Sequence, residues 1–217
     1  MRLRNNPKAN EILENHKEYV VFNTNEHKGN WKKLFGNDNP LYIEVGMGKG
    51  DFIIENAKRY PDINFIGIEK FPSVLVVATK KLDEEKENIP NLKLIKEDAL
   101  LLNEVFEQNE VDRIYLNFSD PWPKARHAKR RLTSHTFLPV FKNILKNEGE
   151  LILKTDNRGL FEFSLISFQQ FNMDFHDVCL DLHHSEGYED NIQTEYERKF
   201  SPFGPIYRIV TTFKGDN

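Results

Sequence analysis

A chain of 217 residues with 39% hydrophobic and 29% charged positions is long enough to bury its own core and fits one soluble α/β domain with short additions. One cysteine, Cys179, excludes an intramolecular disulfide and favours a reducing, cytoplasmic setting. The longest apolar run, Val74 to Ala78, is far too short to span a bilayer, and the charged N-terminus has no apolar stretch behind it to make a targeting signal. A net charge of −4 and a pI of about 6.0 argue against a surface that is basic throughout.

In chain order, the first forty residues are polar and read as a tail with a helix or two. Arg2, Arg4 and Lys8 there offer a mobile cationic grip. Strand patterns follow at Leu41 to Gly46, Asn64 to Glu69, Leu92 to Lys96, Arg113 to Phe118 and Glu150 to Thr155, with helical patterns between them. The clearest helix runs from about Ser134 to Lys146. Phe137, Val140, Phe141, Ile144 and Leu145 fall on one face, Thr133 or Ser134 can cap the start, and Gly149 follows the end. Strands alternating with helices predict a mostly parallel, doubly wound sheet with helices on both faces. Two further strands, Phe175 to Leu182 and Ile206 to Phe213, break the alternation and predict an antiparallel ending. A short helix at Glu195 to Phe200 lies between them.

The first strand runs into Glu44-Val45-Gly46-Met47-Gly48-Lys49-Gly50-Asp51. Glycines there let the backbone turn sharply and approach a ligand, at the strand end where nucleotides sit in such folds. The spacing is neither that of a dinucleotide fingerprint nor that of a phosphate loop. Glu44 would repel a pyrophosphate and welcome an ammonium or sulfonium group. Glu69, 25 positions later, can accept hydrogen bonds from ribose hydroxyls. Asp98 lies where an adenine would rest, and is equally suited to cap the next helix. Together these residues fit S-adenosylmethionine better than NAD.

The fourth strand leads into Asn117-Phe118-Ser119-Asp120-Pro121-Trp122-Pro123-Lys124, and then into a stretch with five Lys or Arg in eight positions, Lys124 to Arg131. A plain turn needs neither the tryptophan nor the second proline. The chain here resembles the bacterial tRNA (guanine-N7-)-methyltransferases, a family of class I methyltransferases. The resemblance rests on Glu44 to Gly50, Gly67-Ile68-Glu69, Asp120-Pro121-Trp122-Pro123-Lys124, Lys129-Arg130-Arg131-Leu132-Thr133, Lys154-Thr155-Asp156-Asn157, Thr194-Glu195-Tyr196-Glu197-Arg198-Lys199-Phe200 and Ile206-Tyr207-Arg208. It implies a Rossmann-like methyltransferase core over 39–217, and with residues 1–38 read as a helical N-terminal extension the expectation is a single methyltransferase domain over 1–217.

It also implies roles. Glu44, Gly46, Glu69, Asp98 and Asp120 would form the S-adenosylmethionine pocket, with Asp120 also catalytic. Lys124, Asp156, Thr194, Glu195, Tyr196 and Glu197 would hold the substrate nucleotide. Arg126, His127, Lys129, Arg130 and Arg131 would touch tRNA. The expected protein is a monomer with no metal and no membrane attachment.

Other readings stay open from the residues alone. Thr194 with Glu197 spells a capping box, Trp122 can simply pack under its loop, and Asp156 to Gly159 can start a helix. The acceptor could be another RNA, a protein or a small molecule. A non-catalytic RNA-binding protein on this fold, or an NAD oxidoreductase, fits the residues less well.

Overall fold

The computed structural model describes residues 5–215. Arg2 and Arg4 lie outside the described residues. Lys8 is exposed and precedes α1 (Ala9–Glu14). The strands are β1 (Val20–Val21), β2 (Leu41–Val45), β3 (Asn64–Glu69), β4 (Leu92–Lys96), β5 (Val111–Asn117), β6 (Leu145–Thr155), β7 (Met173–Cys179) and β8 (Tyr207–Phe213). They form one sheet in the order β1-β4-β3-β2-β5-β6-β8-β7. Pairing is parallel from β1 through β6, while β8 runs antiparallel to both β6 and β7. The parallel, doubly wound sheet with an antiparallel ending is therefore present.

Alternation along each strand divides the core in two. Ile66, Ile68 and Ile95 pack with α2 (Trp31–Phe35), α5 (Leu102–Val105), α6 (Leu138–Ile144) and α7 (Arg158–Gln170). Phe65, Leu92 and Leu94 pack with α1, α3 (Asp51–Arg59) and α4 (Pro72–Glu84). From β2 the chain winds outward through β3 and β4, then returns to place β5 on the other side of β2. The carboxyl ends of β2 and β5 are thus the switch point at which such sheets bind ligands.

Three boundaries differ from expectation. The Ser134 to Lys146 helix is trimmed to Leu138–Ile144, because Pro139 is tolerated only in a first turn. Leu145 instead pairs with Val111, and an irregular step separates it from the regular ladder beginning at Glu150. The seventh strand starts at Met173 and ends at Cys179, earlier than its sequence pattern suggested. The N-terminal extension is not only helical, since Val20–Val21 pairs with β4 as an edge of the sheet.

The extension is also built into the core. Trp31 is fully buried, and its indole N–H donates to the Val105 carbonyl at 2.9 Å. Trp31→Ala should cost about 3–5 kcal/mol, measured as a lower urea midpoint. An unchanged midpoint would mean that residues 1–38 are an appendage.

Candidate active site at the switch point

The turn after β2 is shaped by its glycines. Gly46 has φ 77°, and nothing lies within 4 Å of the place its Cβ would occupy, so the backbone there faces open space. Glu69, at the end of β3, holds this turn. Its carboxylate accepts the Gly48 N–H at 3.2 Å and the Phe71 N–H at 2.9 Å. Each oxygen keeps lone-pair capacity for a ligand hydroxyl. Burial pushes the Glu69 carboxyl up against those N–H bonds, and the charge of Asp120 adds to the rise. Asp120 therefore shares this edge of the sheet with Glu69.

A cleft of about 400 Å³ opens between the glycine turn and α8 (Glu195–Phe200), within the ~300–1,000 Å³ common for small-molecule sites. Glu44 and Asn117 line it from the sheet, Gly46 from the glycine turn, Phe118 and Thr194 from loops, and Tyr196 from α8. Glu44 is buried, and its Oε1 accepts a hydrogen bond from Asn117 Nδ2 at 2.8 Å. Burial pushes its pKa up to about 8, against the pull of Asn117 and Lys154. Among the described residues four buried side-chain atoms lack a partner: Asn64 Oδ1 at the amino end of β3, and Glu44 Oε2, Asn117 Oδ1 and Ser119 Oγ at the carboxyl edge of β2 and β5. A set of unpaired acceptors suits a ligand bearing N–H or O–H donors and positive charge, and disfavours a pyrophosphate.

The residues expected to hold the substrate nucleotide divide into two groups. Tyr196 is 42% exposed, packs against Phe118 and Phe200, and donates from its hydroxyl to Asp156 at 3.1 Å. The result is an aromatic face beside a carboxylate. Thr194 caps α8 in a complete capping box with Glu197. Glu195 is exposed and paired with Lys49 at 2.7 Å. Glu197, also expected to hold the nucleotide, is wholly buried in the unliganded protein. Its carboxylate accepts bonds from Lys154, Asn191, His183 and the Thr194 N–H. Burial alone would raise its pKa, yet Lys154, Asn191 and His183 hold it below the usual carboxylate range. The capping-box reading of Thr194 and Glu197 is thus present in the structure.

The loop after β5 is bent at Phe118 (φ 50°) and Trp122 (φ 42°), positions where non-glycine residues are strained. Arg131 is among the residues expected to touch RNA. Its guanidinium donates to the Pro121 and Trp122 carbonyls at 2.9 and 3.0 Å, and stacks on Phe163 at 4.3 Å. In the unliganded protein its Nε and one terminal nitrogen hold the loop. Arg130 stacks over Trp122 at 4.8 Å with His127 edge-on to the same ring, while Lys124, Arg126 and Lys129 are exposed. Asp98 both caps the turn beginning at Ala99 and pairs with Lys70 at 2.6 Å.

Sequence reasoning missed Lys154, Asn117 and His183 as parts of the site. Lys154 stood in a motif of the resemblance and at the end of a strand pattern, but was given no role there.

The raised Glu44 pKa has a sign. Below about 4.5 the group is protonated in both folded and unfolded chains. As pH rises toward 8, the unfolded chain ionises and the folded one resists, so the unliganded protein loses stability. Glu44→Gln should therefore stabilise the unliganded protein at pH 8 by about 4 kcal/mol, and by little at pH 5. Equal midpoints for the two proteins at both pH values would refute the assignment.

A family model described as a putative methyltransferase matches residues 38–207. A tRNA (guanine-N(7)-)-methyltransferase of Bacillus cytotoxicus is 54% identical over 215 residues, covering 99% of this chain and 98% of the relative. Its counterpart in Lysinibacillus sphaericus is 54% identical over 214 residues, 98% of each chain. The solved structure of an antibiotic-related methyltransferase shares the fold, with a TM-score of 0.63 at 19% identity, covering 85% of this chain and 93% of that one. With a family model matching residues 38–207 and this identity running nearly end to end, the chain belongs to the tRNA (guanine-N(7)-)-methyltransferase family.

Proposed function

We propose that this protein transfers a methyl group from S-adenosylmethionine to N7 of a guanine in tRNA, the variable-loop guanosine by family resemblance. The observation that carries the reading is the meeting, in one cleft, of a buried carboxyl with an unpaired oxygen and the aromatic face of Tyr196, in a chain of this family. When bound, the cofactor supplies an electrophilic methyl on a sulfonium centre. Glu44 and Asn117 would take the donors and positive charge of its amino-acid end, and Glu69 its ribose hydroxyls.

Guanine N7 carries an in-plane lone pair and loses no proton on attack, so no strong general base is required. Alignment supplies most of the rate. Tyr196 offers a stacking face worth about 1–3 kcal/mol per base. Asp120, exposed at the end of β5, would accept the guanine N1–H and amine and stabilise the positive charge that develops on the purine. Lys124, Arg126 and Lys129 would grip phosphates beside the base. No helix among the described residues is long and apolar enough to cross a membrane, and a cytoplasmic setting suits a tRNA substrate.

Labelled methyl should pass to an unmodified tRNA transcript, and not to one carrying adenosine at the variable-loop guanosine. The product should cleave at that site after reduction and aniline. Label on neither transcript, with S-adenosylhomocysteine still bound, would move the search to another acceptor. Asp120→Asn should lower kcat by about 10²-fold; an unchanged kcat would remove Asp120 from the catalytic role. Replacing Arg126 and Lys129 by alanine should flatten the dependence of log affinity on log salt by about 0.7–0.9 for each phosphate no longer gripped. An unaltered slope would place the RNA elsewhere.

A further inference from the structure

Lys154 projects from β6, where its Cα partner across the ladder is Asn117, the residue that holds Glu44. Its side chain is 3% exposed. The ammonium has three donors and three acceptors: Glu197 Oε2 at 2.7 Å, the Ile192 carbonyl at 2.9 Å and Asn191 Oδ1 at 3.1 Å. It also lies 4.9 Å from the ring centroid of Phe52, a side chain that lines the cofactor cleft. Burial pulls the lysine pKa down, and the charges of Glu197 and Glu44 oppose that pull. A buried ion pair is a poor source of net stability, since apolar side chains of similar volume often do as well. What the pair supplies is a fixed position. Glu197 closes the capping box of α8, and its neighbour Tyr196 faces the cleft.

We propose that Lys154 is a positioning residue that couples the cofactor cleft to the substrate-facing helix. Anchored beside the Glu44–Asn117 pair, it seats residues 191–197, so filling the cleft and placing Tyr196 become one equilibrium. The coupling is reciprocal: tRNA seated against α8 tightens cofactor binding by the factor with which the cofactor tightens tRNA binding. The proposal rests on the cleft being the cofactor pocket.

Hydrogen exchange of the full-length protein, with and without S-adenosylhomocysteine, tests it without any methyl transfer. The segment to follow is 188–193, because Asn191 and Ile192 bond Lys154 yet line a neighbouring cavity rather than the cofactor cleft. In the wild type, S-adenosylhomocysteine should slow exchange there by about fivefold or more. The double variant Lys154→Met with Glu197→Met removes both charges and strands neither. It should fold and bind S-adenosylhomocysteine, yet show no ligand-dependent change in this segment. Wild-type protection in the double variant, or no protection in the wild type, overturns the coupling.

A milder variant guards against misfolding. Asn191→Ala removes one acceptor of Lys154 and leaves the ion pair. It should lower kcat on tRNA, shrink the gain in cofactor affinity that tRNA brings, and reduce the protection. Wild-type kcat with wild-type protection overturns the proposal. A wild type that does not bind S-adenosylhomocysteine at all overturns the cofactor reading itself, and is told apart by that simple lack of binding.

Discussion

A carboxyl group removed from water at the carboxyl edge of β2 is the constraint around which the site is arranged. Burying Glu44 is unfavourable, and Asn117 satisfies only one of its two oxygens. Packing alone would favour an apolar residue at this place in a central strand. The cost is local to the switch point and is relieved by a ligand that brings positive charge and N–H donors. Everything nearby serves that exchange. The glycine turn leaves space in front of the carboxyl, Glu69 holds the turn, and β5 brings Asn117 alongside.

The position of α8 follows from a second buried charge and not from the ion pairs visible at the surface. Lys49–Glu195 and Arg198–Asp51 bridge α8 to the glycine turn and the start of α3, but their side chains are largely exposed. Such pairs are worth about 0–1 kcal/mol each and weaken with salt. Removing one partner of a buried pair costs about 3–5 kcal/mol. Lys154 with Glu197 therefore determines where Tyr196 stands, and the surface pairs follow.

The sheet was legible because its signals are local and repetitive. Short β-rich stretches of five or six residues, alternating with helical periods, placed β2 through β5, the regular part of β6 and the switch point with small errors. Boundaries failed where a single residue overruled periodicity, as Pro139 did for α6. The two-residue β1 was illegible, because its place depends on pairing with β4, far away in sequence. In the site, Glu44 and Glu69 were placed by their positions at strand ends, and Tyr196 and Glu197 by the resemblance. The capping box of Thr194 and Glu197 was legible from its spacing. That the Glu197 carboxylate also faces Lys154 was not, because the pair joins elements 43 residues apart. Arg131 sits in a basic run that reads as one patch, although its guanidinium is tied to two backbone carbonyls. Whether a cation faces solvent or its own chain depends on loop geometry, which charge patterning does not encode.

That division of cations explains how an acidic protein can grip a polyanion. At physiological salt, charges further apart than about 8–10 Å are largely screened, so a phosphate responds to the loop it touches and not to the net charge of −4. The loop must then be rigid, or side-chain entropy would cancel the attraction. Arg131 supplies the rigidity from beneath, by holding the Pro121 and Trp122 carbonyls, and Trp122 supplies it from above as a ring against which Arg130 and His127 rest. The exposed Lys124, Arg126 and Lys129 are thus carried on a braced platform that continues directly from Asp120. In the proposed function, a grip on the backbone and the orientation of the base would therefore be set by the same short stretch of chain.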